Sequence, residues 1–144
     1  MIRVTNSTVL RAPITRVWDL IRDFNGHDRW HPAVADSQIE RGQPGDKVGC
    51  VRAFHLSDGA FLREQLLSLS DIGTSFAYCL YETPIPLFNY VSHVRLVPVT
   101  DGDWCFWEWK ARFNAPGGRG GDLAALVGND IQLAGFEAIR REVE

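Results

Sequence analysis

Reactive side chains sit among apolar ones on a series of short runs in the middle of the chain. In Lys47–Leu56, the residues Cys50, Arg52, Phe54 and Leu56 share one parity, and in Ala60–Ser70 the same holds for Leu62, Glu64 and Leu66. Thr74–Glu82 places Tyr78 between Phe76 and Leu80, and Phe88–Val99 puts Tyr90 and Ser92 with Phe88, Val94 and Leu96. Alternate residues of an extended strand point to one face, so Arg52, Glu64, Tyr78, Tyr90 and Ser92 are expected on an otherwise greasy interior surface. A buried charge or hydroxyl is costly without a partner, so these groups must pair with one another, with water or with a ligand. A buried Glu64 would serve as a general base, with Arg52 holding an anionic or developing oxyanion group. Tyr78 and Tyr90 would donate hydrogen bonds to a ligand oxygen. The alternative is equally physical: a structural ion pair and two core tyrosines with satisfied hydroxyls. Trp30, Phe54, Phe76, Ser92, Trp107 and Trp109 are the expected lining of a ligand hollow.

Other chemistries find less support. His27 and His31 are four apart, but Pro32 follows at once and no HExxH pattern is present. They are expected in a surface turn touching the rim of the hollow, and no metal site is expected. His55 and His93 fall on the outward parity, and Asp130 lies near the apolar stripe of the last segment as a candidate pocket carboxylate. Cys50, Cys79 and Cys105 are dispersed and each sits in an apolar stretch, which suits small buried thiols in a reducing compartment. No P-loop, GxGxxG or nucleophile-elbow pattern occurs, and no motif requires a cofactor.

The elements that would position these groups are legible from turn residues and periodicity. Ile2–Leu10 suits a first strand. Pro13 then opens a helix carrying Ile14, Val17, Trp18 and Ile21 at i, i+3, i+4 and i+7, about three turns long. Asn25-Gly26 ends it, and a short helical turn spans His27 to Trp30. The strand runs begin at Ala33–Arg41, and GQPGD, SDG, DIG, TPIP and TDGD separate them. With no helical pattern between them, they predict an antiparallel meander. After the Gly-rich joint at 115–121, Asp122 is the expected N-cap of a final helix of about 20 residues. Gly128 and Gly135 lie on one side of it, each about 1 kcal/mol worse than Ala in a helix. They are expected to allow close approach to the sheet or to leave space beneath the helix.

At 144 residues, with 45% hydrophobic and 23% charged composition, the chain fits one globular domain spanning 1–144. A net charge of −3 argues against bulk attraction to nucleic acid or an anionic membrane. No apolar run approaches the ~20 residues that span a bilayer. The N-terminal residues lack a signal-peptide layout, and the cytoplasm is the expected compartment. A homodimer is compatible with the sequence.

The segments APITRVWDLIRDFNGHDRWHPAV, QPGDKVGCVRAF, LREQLLSLSD and SFAYCLYE resemble the START/Bet v 1-like (SRPBCC) superfamily, in its polyketide cyclase/dehydrase and lipid-transport branch. The resemblance implies an α+β helix-grip fold, a curved antiparallel sheet of about seven strands wrapped on a long C-terminal helix. A narrower likeness is to the plant lachrymatory-factor-synthase-like proteins, through Gly49-Cys50-Val51-Arg52, Arg63-Glu64-Gln65-Leu66 and the paired Tyr78 and Tyr90. It would carry that group's pocket Arg, Glu and tyrosines onto Arg52, Glu64, Tyr78 and Tyr90, while Thr83-Pro-Ile-Pro-Leu departs from the plant pattern. Together these readings lead to binding of a small hydrophobic, oxygen-bearing metabolite, coupled to cofactor-free cyclisation, dehydration or isomerisation. A non-catalytic carrier or sensor and a protein-interaction domain are the alternatives, because one fold hosts all three.

Overall fold

A computed structural model describes residues 1–144. Alternation of buried and exposed residues builds β1 (Ile2–Leu10), β2 (Val34–Ile39), β3 (Val51–Leu56), β4 (Phe61–Ser70), β5 (Ser75–Glu82), β6 (Phe88–Val99) and β7 (Trp104–Asn114). They form one sheet in the order β1-β7-β6-β5-β4-β3-β2, with every neighbouring pair antiparallel. This is the expected meander, with β1 closing onto the last strand. Two helices follow β1. In α1 (Ile14–Ile21), shorter than the three turns expected, Val17, Trp18 and Ile21 are buried. The second, α2 (His27–Trp30), is a single turn with Gly26 before it.

The chain ends in a continuous 24-residue helix across 120–143 that covers the sheet. Its parts are α3 (Gly120–Ala125), a π-helical stretch (Leu126–Leu133) and α4 (Ala134–Val143). Asp122 is not its N-cap. Arg119 occupies that position without a side-chain cap, and Asp122 lies in the first turn, where a carboxylate still favours the helix dipole. A π-turn shifts backbone partners and frees carbonyls. Here His31 Nε2 donates to the Ile131 carbonyl at 2.8 Å, and Asn6 Nδ2 donates to the Gly128 carbonyl at 3.4 Å. Gln132, fully buried, accepts from Asn6 at 2.8 Å and donates to the Val4 carbonyl at 3.3 Å. The irregular turn is thus tied to both α2 and β1.

The two helix glycines do permit close approach. A Cβ on Gly128 would lie 3.3 Å from Val4, and one on Gly135 would lie 2.8 Å from the Trp109 ring. Under Gly135, Trp107 and Trp109 stack at 5.6 Å, and Phe136 meets Trp107 edge-on at 4.7 Å.

Register shifts interrupt the simple alternation in β2 and β4, Phe76, Ala77 and Tyr78 are buried in succession in β5, and two strand ends differ from what parity predicts. Asn89 has φ of 54°, and the β6–β7 register shifts between Phe88 and Val91. The resulting bulge turns Phe88 outward to 51% exposure, so it is not part of the inner face. Lys47–Cys50 forms a turn instead of the start of β3, with Cys50 N bonded to the Lys47 carbonyl at 3.0 Å. Cys50 and Cys105 are buried and Cys79 is half-buried, all as free thiols. No helix is long and apolar enough to cross a membrane.

Candidate functional site

Between the inner face of the sheet, α2, the π-helical stretch and the β5–β6 connection lies a cavity of about 390 Å³. Of its 25 lining residues, 18 are hydrophobic, the usual make-up of a site for a small apolar ligand with a few polar anchors. Arg52, Glu64, Tyr78 and Tyr90 all line it, as do Trp30, Phe54, Phe76, Trp107 and Trp109.

Strand pairing explains how the polar groups meet. Arg52 on β3 is directly opposite Glu64 on β4, and Tyr78 on β5 is opposite Leu66, one inward position along from Glu64. Tyr78 in turn faces Ser92, two residues from Tyr90 on the same face of β6. Arg52 and Glu64 are 5% and 7% exposed. Arg52 Nε and Nη2 both donate to Glu64 Oε1, at 2.9 and 2.6 Å, while Nη1 donates to the Phe24 carbonyl at 2.7 Å. The guanidinium also lies over the Phe24 ring at 4.0 Å and near the Tyr78 ring at 4.9 Å, where the ring faces attract a cation.

The geometry therefore divides the pair's labour. All three Arg52 nitrogens already donate to protein oxygens, so its first task is to hold Glu64 and the connection between α1 and α2 at Phe24. Glu64 Oε1 takes both bonds, and Oε2 has no hydrogen-bond donor in the protein. Burial pushes the Glu64 carboxyl above its ordinary range, with the charge of Arg52 pulling the other way. Burial likewise pushes Tyr78 up to about 12, with the Glu64 charge adding to it, and pushes Tyr90 well above the usual phenol range. Both tyrosines stay protonated at neutral pH and can serve as hydrogen-bond donors.

Ser92 differs from its expected place. It is fully buried behind the wall, where its hydroxyl donates to the Lys110 carbonyl at 3.1 Å and accepts from Trp109 Nε1 at 2.9 Å. It orients Trp109 and does not line the cavity.

The two histidines of α2 and its exit are a second departure, because both are buried and both line the cavity. The Ala33 N–H donates to His31 Nδ1 at 3.1 Å while His31 Nε2 donates to Ile131, so this ring is neutral and fully used in structure. His27 meets Phe54 edge-on at 4.6 Å, and neither of its ring nitrogens has a hydrogen-bond partner. Burial, and then the charge of Arg52, hold it well below the usual histidine range. His55 instead pairs with Asp36 at 2.9 Å on the surface, and His93 is exposed. Asp130 reaches the cavity only from its exposed rim. Ile85 and Leu87 of the Thr83–Leu87 connection also line the cavity, which sequence patterning did not assign.

The family model described as polyketide cyclase/dehydrase and lipid transport matches residues 1–144. Among solved structures, the chain is similar to the protein XoxI of Bacillus cereus, with a TM-score of 0.88 and 24% identity over 99% of this chain and 96% of that one. It is also similar to an uncharacterised protein from Bacillus thuringiensis, at TM-score 0.86 and 25% identity over 98% of both chains. A protein from Nitrosospira multiformis matches at TM-score 0.84 and 27% identity over 99% of this chain and 97% of that one. A comparison with curated proteins gave no match.

Proposed function

The chain belongs to the polyketide cyclase/dehydrase and lipid transport family of the SRPBCC superfamily, and from that premise we propose that it binds a small, hydrophobic, oxygen-bearing metabolite and moves a proton on it through Glu64. The observation that carries this reading is the asymmetry of the buried carboxylate. Oε1 is fixed by two Arg52 nitrogens, while Oε2, on a side chain that lines the cavity, has no donor in the protein. A purely structural ion pair gains most when both carboxylate oxygens are bonded.

In this reading the apolar walls bind the carbon skeleton and set its position. Glu64 takes a proton from a carbon or hydroxyl of the ligand and returns it elsewhere on the same molecule. A raised carboxyl pKa brings the group nearer the range in which it can both accept and give back a proton. Charge that develops on a ligand oxygen during the transfer is met by the protonated hydroxyls of Tyr78 and Tyr90. Arg52 acts as a positioning residue. Cyclisation, dehydration and isomerisation all reduce to such paired proton transfers.

The test uses Glu64→Gln, which keeps the shape of the side chain and removes the base. 2-Tetralone is a neutral bicyclic ketone with exchangeable α-hydrogens, and deuterium uptake from solvent is followed by NMR. The wild-type chain is expected to accelerate uptake over buffer, and the variant to lose about 10²-fold or more of that acceleration, the usual share of a general base. Binding without any difference in uptake between the two proteins would favour a carrier, for which the largely apolar lining is already sufficient.

A further inference from the structure

The charged side chains that line the cavity are Arg52, Glu64, Asp58 and Asp130, one cation against three carboxylates. Arg52 is engaged by Glu64 at 2.6 Å and by the Phe24 carbonyl at 2.7 Å, so an anion entering the cavity meets no cation with a free set of donors. Asp58 and Asp130 are exposed residues of the lining, and their negative charge disfavours an anion there. A cation inside would find Glu64 Oε2 without a donor, but on a carboxylate whose charge Arg52 already offsets at 2.6 Å, so little is gained against the cost of stripping its own water. The remaining walls are mostly apolar and strip water from whatever enters, which penalises any net charge.

Three polar side chains on this wall have no hydrogen-bond partner in the protein: the indole N–H groups of Trp30 and Trp107, which can only donate, and His27, the one that carries both a donor and an acceptor. His27 is buried, lines the cavity, and has two ring nitrogens without a partner. His31, four residues on, has both nitrogens bonded within the protein, so the neighbourhood is able to satisfy an imidazole where structure alone requires it. A neutral imidazole offers one N–H donor and one acceptor nitrogen, the complement of a hydroxyl or, through the donor alone, of a carbonyl.

We infer that the cavity selects an uncharged ligand and that His27 is the specificity-determining partner of its hydroxyl or carbonyl oxygen. This inference rests on the ligand-binding reading above. It narrows the ligand class to neutral alcohols, phenols, ketones and esters, and places free carboxylic acids, phosphates and amines outside it.

Probes on one bicyclic skeleton test it: tetralin, 2-tetralone, 1,2,3,4-tetrahydro-2-naphthoate and 2-aminotetralin. Each is titrated at pH 7.5 into the full chain by calorimetry, and by tryptophan fluorescence through Trp30, Trp107 and Trp109. 2-Tetralone is expected to bind about tenfold or more tighter than either charged compound. His27→Phe is expected to weaken 2-tetralone by about tenfold while leaving tetralin unchanged, and to leave the thermal midpoint equal or higher, since the ring nitrogens have no protein partner to lose. His27→Leu guards against the larger ring blocking the site and must show the same selective loss. Tighter binding of the carboxylate or the amine overturns the inference and leaves the cavity reading standing. So does a 2-tetralone affinity that neither variant changes. Failure of all four probes to bind, tetralin included, overturns both.

Discussion

Replacing Arg52 with Met keeps an unbranched side chain of similar reach and deletes the charge. The variant loses both donors to Glu64 Oε1, the donor to the Phe24 carbonyl, and the cation over the Phe24 ring. Removing one member of a buried ion pair costs about 3–5 kcal/mol, and an orphaned buried carbonyl about 1–3 more. The two overlap, so a net loss of about 4 kcal/mol is expected, a large share of the ~5–15 kcal/mol that holds a domain together. With a urea dependence of about 2 kcal/mol per M, the unfolding midpoint should fall by about 2 M. The loss should also depend on pH. Without Arg52, nothing opposes the burial that raises Glu64, so the carboxyl protonates more readily in the folded state than in the unfolded one. Stability of the variant then falls as pH rises from the unfolded carboxyl value through the raised folded one, and the penalty is larger at pH 8 than at pH 5. Converting both residues, Arg52→Met with Glu64→Met, should recover most of the loss, since an apolar replacement of a buried pair is near neutral. Urea titrations followed by tryptophan fluorescence measure all of this. A single-variant loss below about 1 kcal/mol, equal at both pH values, would refute the view of the pair as a desolvated, mutually dependent unit.

Two further outcomes follow from the packing. In Gly135→Ala the new methyl would lie 2.8 Å from Trp109 and 3.3 Å from His31 and Trp30. Overpacking of about 1–3 kcal/mol should exceed the helix gain of about 1 kcal/mol, giving a lower thermal midpoint and an altered near-UV signal from the stacked tryptophans; a more stable variant would mean that the aromatic cluster yields. Asp71 accepts from Trp18 Nε1 at 2.9 Å and from Arg22 at 2.6 and 3.0 Å, and these bonds hold its carboxyl down at about 2. Its contribution is present above the ordinary aspartate range and is lost as pH falls toward 2, so the gap in thermal midpoint between wild type and Asp71→Asn should close over pH 4 to 2; a constant gap would contradict this.

The sheet is readable because turn residues mark its ends and because alternation survives in β1, the first half of β4 and β7. It failed at Phe88, where a positive φ at Asn89 inserts a bulge that no hydrophobic pattern encodes. The pairing of Arg52 with Glu64 and the placement of Tyr78 and Tyr90 on the cavity wall followed from parity, aided by the family resemblance. Which Glu64 oxygen is held, and that Arg52 is occupied by Phe24 as well, depends on how the α1–α2 connection docks, which strand parity does not encode. Ser92 shared the right parity, yet Trp109 covers it, and parity says nothing about which of two inward neighbours stands in front. The four-residue α2 is too short to show a periodic face, so the sequence reads His27 and His31 as part of a surface turn. His31 meets the final helix 100 residues away, at the Ile131 carbonyl, and His27 packs on Phe54 of β3. The π-helical stretch was illegible for the same reason, since its displaced carbonyls are satisfied by His31 and Asn6, outside the helix.

Native mass spectrometry of freshly purified protein, compared with its denatured mass, tests the central claim most directly. The account predicts a non-covalent adduct that is released on denaturation, is uncharged and oxygen-bearing, and is lost or exchanged more readily from Glu64→Gln and His27→Phe. An apo mass combined with no uptake of neutral bicyclic ketones would contradict a ligand-binding cavity and leave the buried Arg52–Glu64 pair as a structural feature of the sheet.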